Sequence, residues 1–462
     1  LSDPRSTSKL QRQGLNPLPT LTRRLTPANL NIYFSAACFF SPAVLGSVVS
    51  FVFHGGALWS VVLLAAKRRR FNIDPPMLWI TAATYIYCAA MVSGSLASGM
   101  LRADLPLLLP LATLLFFPIS YSTWSITDKL TLARIAVRAS AAACVGALAL
   151  AIVQYYWIGM LRAEGGAGNP IVFATVTCLA AMMCLAGALS GLEEGRMPFV
   201  AAALAGVLAI LYSGSRLIWV ALLVAAVAVF LIYRKKLTRG NIRRSLTIAV
   251  ASCLLTVAVT FPIVVDRTVV LFKDWDALVT KGDHSTPLGL RVGLWDIGVN
   301  AFRETPFIGH GVSASRALIK QGFKDRFGMD QGFNHFHNGF LTALVEAGLL
   351  GALALAAVFA IAACYAARVL RCSADPAERF GATMVTVTVV TYLIGGLGGI
   401  LVGHDILDST LMVFLVSGTY LACGETVSPI RKHSHSQSAH NHCSACQGTV
   451  AFGQAETPRQ QS

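Results

Sequence analysis

Apolar stretches of about 20 residues recur from Leu30 to Cys423, and each is long enough to cross the hydrocarbon core of a bilayer as a helix. Inside lipid every backbone N–H and C=O must be satisfied within the protein, so such stretches fold as α-helices rather than as open sheets or loops. A water-soluble fold is excluded by the same count, because 55% of the chain is hydrophobic and only 13% is charged. Twelve spans are expected, at about 30–45, 47–66, 76–98, 105–122, 135–158, 170–190, 197–213, 215–233, 244–264, 340–369, 379–401 and 407–423. The first two divide one long apolar run, broken near Pro42 and Gly46.

Between the ninth and tenth spans the pattern stops. Residues 265–336 hold nine basic and eight acidic side chains and no cysteine, with short helical periodicities such as Leu290, Leu294, Ile297 and Ala301. The predicted fold is thus an all-α polytopic membrane protein with a large, partly helical hydrophilic loop. Its expected parts are a tail at 1–29, spans one to nine at 30–264, the loop at 265–336, spans ten to twelve at 337–423, and a second tail at 424–462.

The net charge of +15 then reads as an orientation signal. Arg5, Lys9, Arg12, Arg23 and Arg24 precede span one, Lys67 to Arg70 follow span two, and Lys129, Arg134 and Arg138 follow span four. Arg234, Lys235, Lys236, Arg239, Arg243 and Arg244 follow span eight, whereas the opposite short loops hold only Arg102, Arg162 and Arg216. The positive-inside rule therefore predicts cytoplasmic termini and an external loop between spans nine and ten. On this division the cytoplasmic side carries 25 basic and nine acidic residues and the outside 12 of each, so no nucleic-acid-binding surface is implied. Most of the 11 cysteines lie in apolar runs, where a thiol behaves as a small hydrophobe, and no disulfide framework is expected. No short apolar stretch ending in a small-residue cleavage site precedes the first span, which is expected to do the targeting itself.

This topology gathers three pieces of sequence at the outer face: the turn Tyr212-Ser213-Gly214-Ser215-Arg216, the loop residue Arg291, and Asn334-His335-Phe336-His337-Asn338 where span ten begins. Arg216 opens an apolar helix, where a guanidinium either snorkels to the interface or meets an anion. Arg291 reads equally as one side of a solvated ion pair. His337 lies near the positive end of the span-ten dipole, which favours the neutral ring and leaves it able to accept a proton; packing or capping of the loop is the competing role. His335 and Asn338 are either its hydrogen-bonding company or turn residues. Paired arginines hold a diphosphate through bidentate forks and stabilise charge developing on it, and a neutral histidine deprotonates an incoming hydroxyl. On these groups alone, metal-independent chemistry without a cofactor is expected. Glu346 and His54, ionisable within apolar stretches, are secondary candidates, with a hydrogen bond to a neighbouring helix the expected role for Glu346.

The run His337-Asn338, nine residues, Gly348, two residues, Gly351 resembles the His-[Asn/Ser/Gln]-x9-Gly-x2-[Gly/Thr/Tyr] signature of bacterial O-antigen ligases. Arg291-x3-Trp295 and Pro306-Phe307-Ile308-Gly309-His310-Gly311 resemble the rest of the O-antigen ligase and polymerase superfamily, and the likeness extends over about 30–423 in a GT-C-like arrangement. The resemblance implies a glycosyltransferase of lipopolysaccharide biosynthesis. It would move O-antigen from undecaprenyl diphosphate to a hydroxyl of the lipid A–core, at the periplasmic face of the inner membrane and with inversion. His337 would be the base, with Arg216 and Arg291 at the diphosphate and Asn338 a substrate contact. An O-antigen polymerase, a protein O-oligosaccharyltransferase and, from another class, a secondary transporter are the alternatives; no internal repeat of the transporter kind is evident. The tail residues His433, His435, His440, His442, Cys443 and Cys446 have metal-ligand spacings but are expected in the cytoplasm, away from the chemistry.

Overall fold

A computed structural model describes residues 27–426 apart from 68, 237–257, 259, 260 and 263, and every regular element among the described residues is helical. Helices α1 (Pro27–Val44) and α2 (Val48–Ala65) lead to α3 (Pro75–Ala97) and then to three short helices, α4 (Leu101–Leu108), α5 (Leu111–Leu115) and α6 (Phe117–Trp124). Helix α7 (Lys129–Ile152) ends in a π-helical turn, Val153–Trp157, and α8 (Pro170–Ser190), α9 (Met197–Tyr212) and α10 (Arg216–Tyr233) follow. After α11 (264–281) come α12 (Pro287–Glu304), α13 (Ala314–Phe327), α14 (Gly339–Cys372), α15 (Pro376–Gly396) and α16 (Asp405–Cys423).

The helix starts are written locally. Asn169 caps α8 by accepting from the N–H groups of Ile171 and Val172, at 2.9 and 3.2 Å, with Pro170 at the first helical position. Asp128 caps α7 and Asp375 caps α15 in the same way. Helices α8 and α16 form the centre, 89% and 94% buried along their apolar windows, whereas α10 is only 28% buried and turns Leu223, Phe230 and Leu231 outward. A helix apolar on every side, with a bare outer face, belongs in lipid. Packing runs α14 on α3, α8 on α9, α15 on α16 and α1 on α7. Two large buried polar side chains tie elements together: Trp124 Nε1 donates to Ser35 Oγ at 3.0 Å, and Tyr420 donates to the Thr127 carbonyl at 2.6 Å.

Eight helices among the described residues are long and apolar enough to cross a membrane, which makes the chain a polytopic membrane protein. They are α2, α3, α7 with its π-turn, α8, α10, α14, α15 and α16. The remaining expected spans fare differently. Residues 105–122 are not one span: Pro106 lies inside α4, Pro110 precedes α5 and Pro118 opens α6, so missing N–H donors and ring clashes divide the stretch into α4, α5 and α6. Helices α1 and α9 occupy the expected first and seventh positions, α9 with 16 residues. The ninth expected span, at 244–264, lies mostly outside the described residues, as do the basic N-terminal tail and the His/Cys tail.

The hydrophilic loop is a helical layer with its own core. Leu294 and Ile297 of α12 meet Ile319 and Phe323 of α13, and Phe336, Leu341 and Val345 join this layer to the start of α14. Helix α14 is kinked rather than straight. Gly348 adopts φ 63° and ψ −168°, and the chain at 306–311 docks into the break: Leu349 N donates to the Pro306 carbonyl at 2.8 Å, His310 N to Val345 O at 2.8 Å and Gly311 N to Glu346 O at 3.1 Å.

Candidate active site

One five-residue turn organises the basic half of the site. At Tyr212-Ser213-Gly214-Ser215-Arg216, helix α9 ends and α10 begins, with Gly214 at φ 61°. The Ser213 carbonyl accepts from Arg162 Nε at 2.8 Å, and Ser215 Oγ accepts from Arg162 Nη2 at 3.1 Å. Gly214 leaves room for another arginine: a Cβ there would come within 2.9 Å of Arg267 Nε. Arg216 donates from Nη1 to the Arg267 carbonyl at 2.7 Å, tying the turn to α11. With Arg291 from α12, these side chains line a cleft of about 740 Å³ that holds four guanidiniums and no carboxylate on its wall. The cost shows in proton affinity. Burial, then the charges of Arg267, Arg291 and Arg216, bring Arg162 down to about 10, and burial followed by Arg216 lowers Arg291.

His337 sits at the start of α14 with a left-handed backbone, φ 48°, which few non-glycine residues adopt and which clusters at functional sites. The next residue fixes that geometry. Asn338 Oδ1 accepts from Phe340 N and Leu341 N, both at 3.1 Å, capping α14. Asn338 is thus a cap, the turn role among its two readings, with its side-chain oxygen committed to the helix.

The His337 ring stacks at a tilt on His335, with centroids 4.5 Å apart, and meets the edge of Phe333. Its Nδ1 is buried and has no hydrogen-bond partner among the described residues. Burial is the main reason its proton affinity falls to about 4, followed by His335 and then Arg291. The helix dipole expected to favour the neutral ring is not among these causes; desolvation leads them.

His337 lines a second cleft of about 540 Å³ with His335, His404, Thr391 and Tyr392. It shares two wall residues, Ile171 and Gly395, with the arginine cleft. On its other side His335, Ile400 and His404 are shared with a larger groove of about 1300 Å³, which also presents Glu346, Arg316, Asn334 and Ser313. Three contiguous spaces therefore run from cation cluster, through histidine, to polar groove. Glu346 accepts from Ser315 at 2.7 Å, the helix-bridging bond expected for it, and also faces the groove. His54, by contrast, pairs with Thr113 at 2.9 Å and belongs to none of these spaces.

The structure brings Arg216 and Arg291 into one cleft and His337 into the adjoining one, and it adds Arg162, Arg267 and His404, which no motif singles out. Arg162 was visible as one of three basic residues in the short outer loops. His404 stands beside Gly403, whose N–H donates twice to the fully buried Asp408, at 3.0 and 3.1 Å; this anchoring of the 403–404 corner has no sequence motif.

No curated protein was found to match the chain. Residues 199–356 match the family model described as O-antigen ligase, a segment that contains Arg216, Arg267, Arg291, His337 and the Gly348 kink. That segment is similar to the O-antigen ligase family, and it is set among membrane-spanning helices.

Proposed function

We propose that the protein is an O-antigen ligase that transfers a glycan from a polyprenyl diphosphate, undecaprenyl diphosphate in bacteria, to a sugar hydroxyl of the lipid A–core. The observation that carries this reading is the shared wall between the arginine cleft and the His337 cleft. A diphosphate held by Arg216 and Arg291 would place the anomeric carbon it bears at that wall, beside the imidazole. The groove beyond His335 and His404 offers the polar side chains that a sugar acceptor requires.

His337 accepts the proton of the acceptor hydroxyl as that oxygen attacks the anomeric carbon. The bond to the diphosphate oxygen breaks with its electron pair, and attack from the side opposite the leaving group inverts the centre. Guanidiniums fixed before the reaction stabilise the developing charge without reorganising, an effect on the order of 10²–10³ in rate for one well-placed donor. The charge distribution of the loops supports a site at the periplasmic face of the inner membrane, with both termini cytoplasmic.

The test supplies purified protein with lipid-linked glycan and, in turn, lipid A–core, a second lipid-linked glycan, or a pilin. Glycan appearing on the lipid A–core is the expected result. Lengthened donor chains without it would make the protein a polymerase, glycosylated pilin a protein O-oligosaccharyltransferase, and solute flux without covalent product a transporter.

A further inference from the structure

A glycan joined to a lipid through diphosphate carries two negative charges, one on each phosphate. Two arginines match that state, yet four line the cleft. Two carboxylates act on these arginines, Asp274 on Arg216 and Glu164 on Arg162, and neither lines the cleft. An excess of positive charge in a half-buried cleft is costly unless a correspondingly charged anion visits the site.

Transfer creates such an anion. When the anomeric C–O bond breaks, its electron pair stays on the diphosphate oxygen while the acceptor's proton goes to the base. The terminal phosphate becomes a monoester whose second ionisation lies near pH 6, so at neutral pH the departing lipid diphosphate carries about three charges. Arg162 is placed to meet the third. It comes from the 158–169 loop rather than from α10 or α12, is immobilised by Ser213 and Ser215, and engages the protein through Nε and Nη2, leaving Nη1 without a protein partner among the described residues. All three other guanidiniums act on it.

Building on the transfer reading above, we infer that Arg162 is a further diphosphate-binding residue whose guanidinium is matched to the charge that appears on the leaving group. The cleft then binds the departing lipid diphosphate more tightly than the glycosylated donor. Binding energy is directed to the late, charged state, as transition-state complementarity requires. The released lipid diphosphate is therefore an inhibitor competing with donor.

The experiment measures equilibrium binding of geranylgeranyl diphosphate and of its terminal methyl ester to the full chain in lipid nanodiscs at pH 7.5. The first carries the third charge and the second does not. Wild-type protein should prefer the free diphosphate by about tenfold, the scale of one charge-assisted hydrogen bond. Arg162→Gln should reduce that preference to about twofold or less while changing affinity for the methyl ester by less than about threefold. Arg162→Lys, which keeps the charge and a donor for Ser213, should retain part of the preference and guards against a folding defect in the glutamine variant. Equal weakening of both ligands in Arg162→Gln, or an undiminished preference, would overturn the inference while leaving the donor reading standing. Wild-type protein that bound neither ligand would overturn the donor reading and this inference with it.

Discussion

The histidine's surroundings make the acid side of the pH profile a decisive measurement. His337 has its proton affinity lowered to about 4, by burial first and then by His335 and Arg291. A base must be neutral to work, so activity falls as pH drops through the base's pKa. At pH 5.5 a ring with a pKa of about 4 is roughly 97% neutral, whereas an ordinary histidine at 6.5 is roughly 9% neutral. Both are mostly neutral at pH 7.5. The ratio of kcat/KM at pH 5.5 to that at 7.5 should therefore be about 0.97 rather than about 0.1. Since kcat/KM reports the free enzyme, the relevant field is the one in which the arginine cleft holds no donor. Each phosphate of the donor is a diester and stays ionised throughout this range, so the substrate does not confuse the profile. The assay is initial-rate transfer in nanodiscs from pH 4 to 8 at limiting donor. His335→Gln removes the second contributor and should move the acid limb to higher pH. A half-maximum near 6.5 in the wild type would refute either the burial of the ring or its role as base.

Four further outcomes test the other parts of the site. Arg216→Lys and Arg291→Lys keep the charge but lose the planar fork, and each should lower kcat/KM by about tenfold or more; near-normal rates in both would reduce these residues to interfacial anchors. EDTA should leave the purified enzyme's rate unchanged, because arginines supply the charge stabilisation; reversible loss of activity would defeat the metal-free mechanism. Gly348→Ala should cost about 1–3 kcal/mol from a positive-φ, extended-ψ backbone open essentially to glycine, with further loss as the new Cβ collides with the Phe307 carbonyl and displaces the 306–311 chain. Thermal unfolding in detergent and the transfer rate should fall together, and a stable, active variant would show the kink to be dispensable. Removal of residues 430–462 should leave transfer intact, since the loop charges predict the tail on the opposite side of the membrane; a stably inserted but inactive truncation would contradict that topology.

Length and hydropathy carry the helical class because the bilayer sets a single ruler, and α8, α10 and α16 begin within two residues of the expected positions. The ruler fails where proline interrupts without polarity. Residues 105–122 stay apolar through Pro106, Pro110 and Pro118, so hydropathy sees one span where the backbone makes three short helices. The arginine cleft is legible only in part for a different reason. Its side chains come from the 158–169 loop, the α9–α10 turn, α11 and α12, and no local spacing links such distant segments. Arg267 in particular lies on a helix whose sequence gives no sign that Gly214 will make space for it.

The histidine signature behaves differently because it encodes a backbone rather than a set of substrate contacts. Asn338 caps the helix, and its capping bonds hold the preceding residue, His337, at the left-handed turn that presents the ring. Gly348 is required because a Cβ would overlap the Phe307 carbonyl, the point where the 306–311 chain locks onto α14 through Pro306, Val345 and Glu346. Gly351 lies against Ala347 and Ala90, where α14 meets α3. Each fixed position after the histidine therefore sets where the first nine residues of α14 sit, and with them the imidazole. A motif of this kind is legible in sequence because backbone geometry admits few substitutes, whereas a guanidinium can reach the same cleft from many starting points. The chemistry is thus most visible in the sequence where it depends on the fold, and least visible where it depends on the convergence of long, flexible side chains.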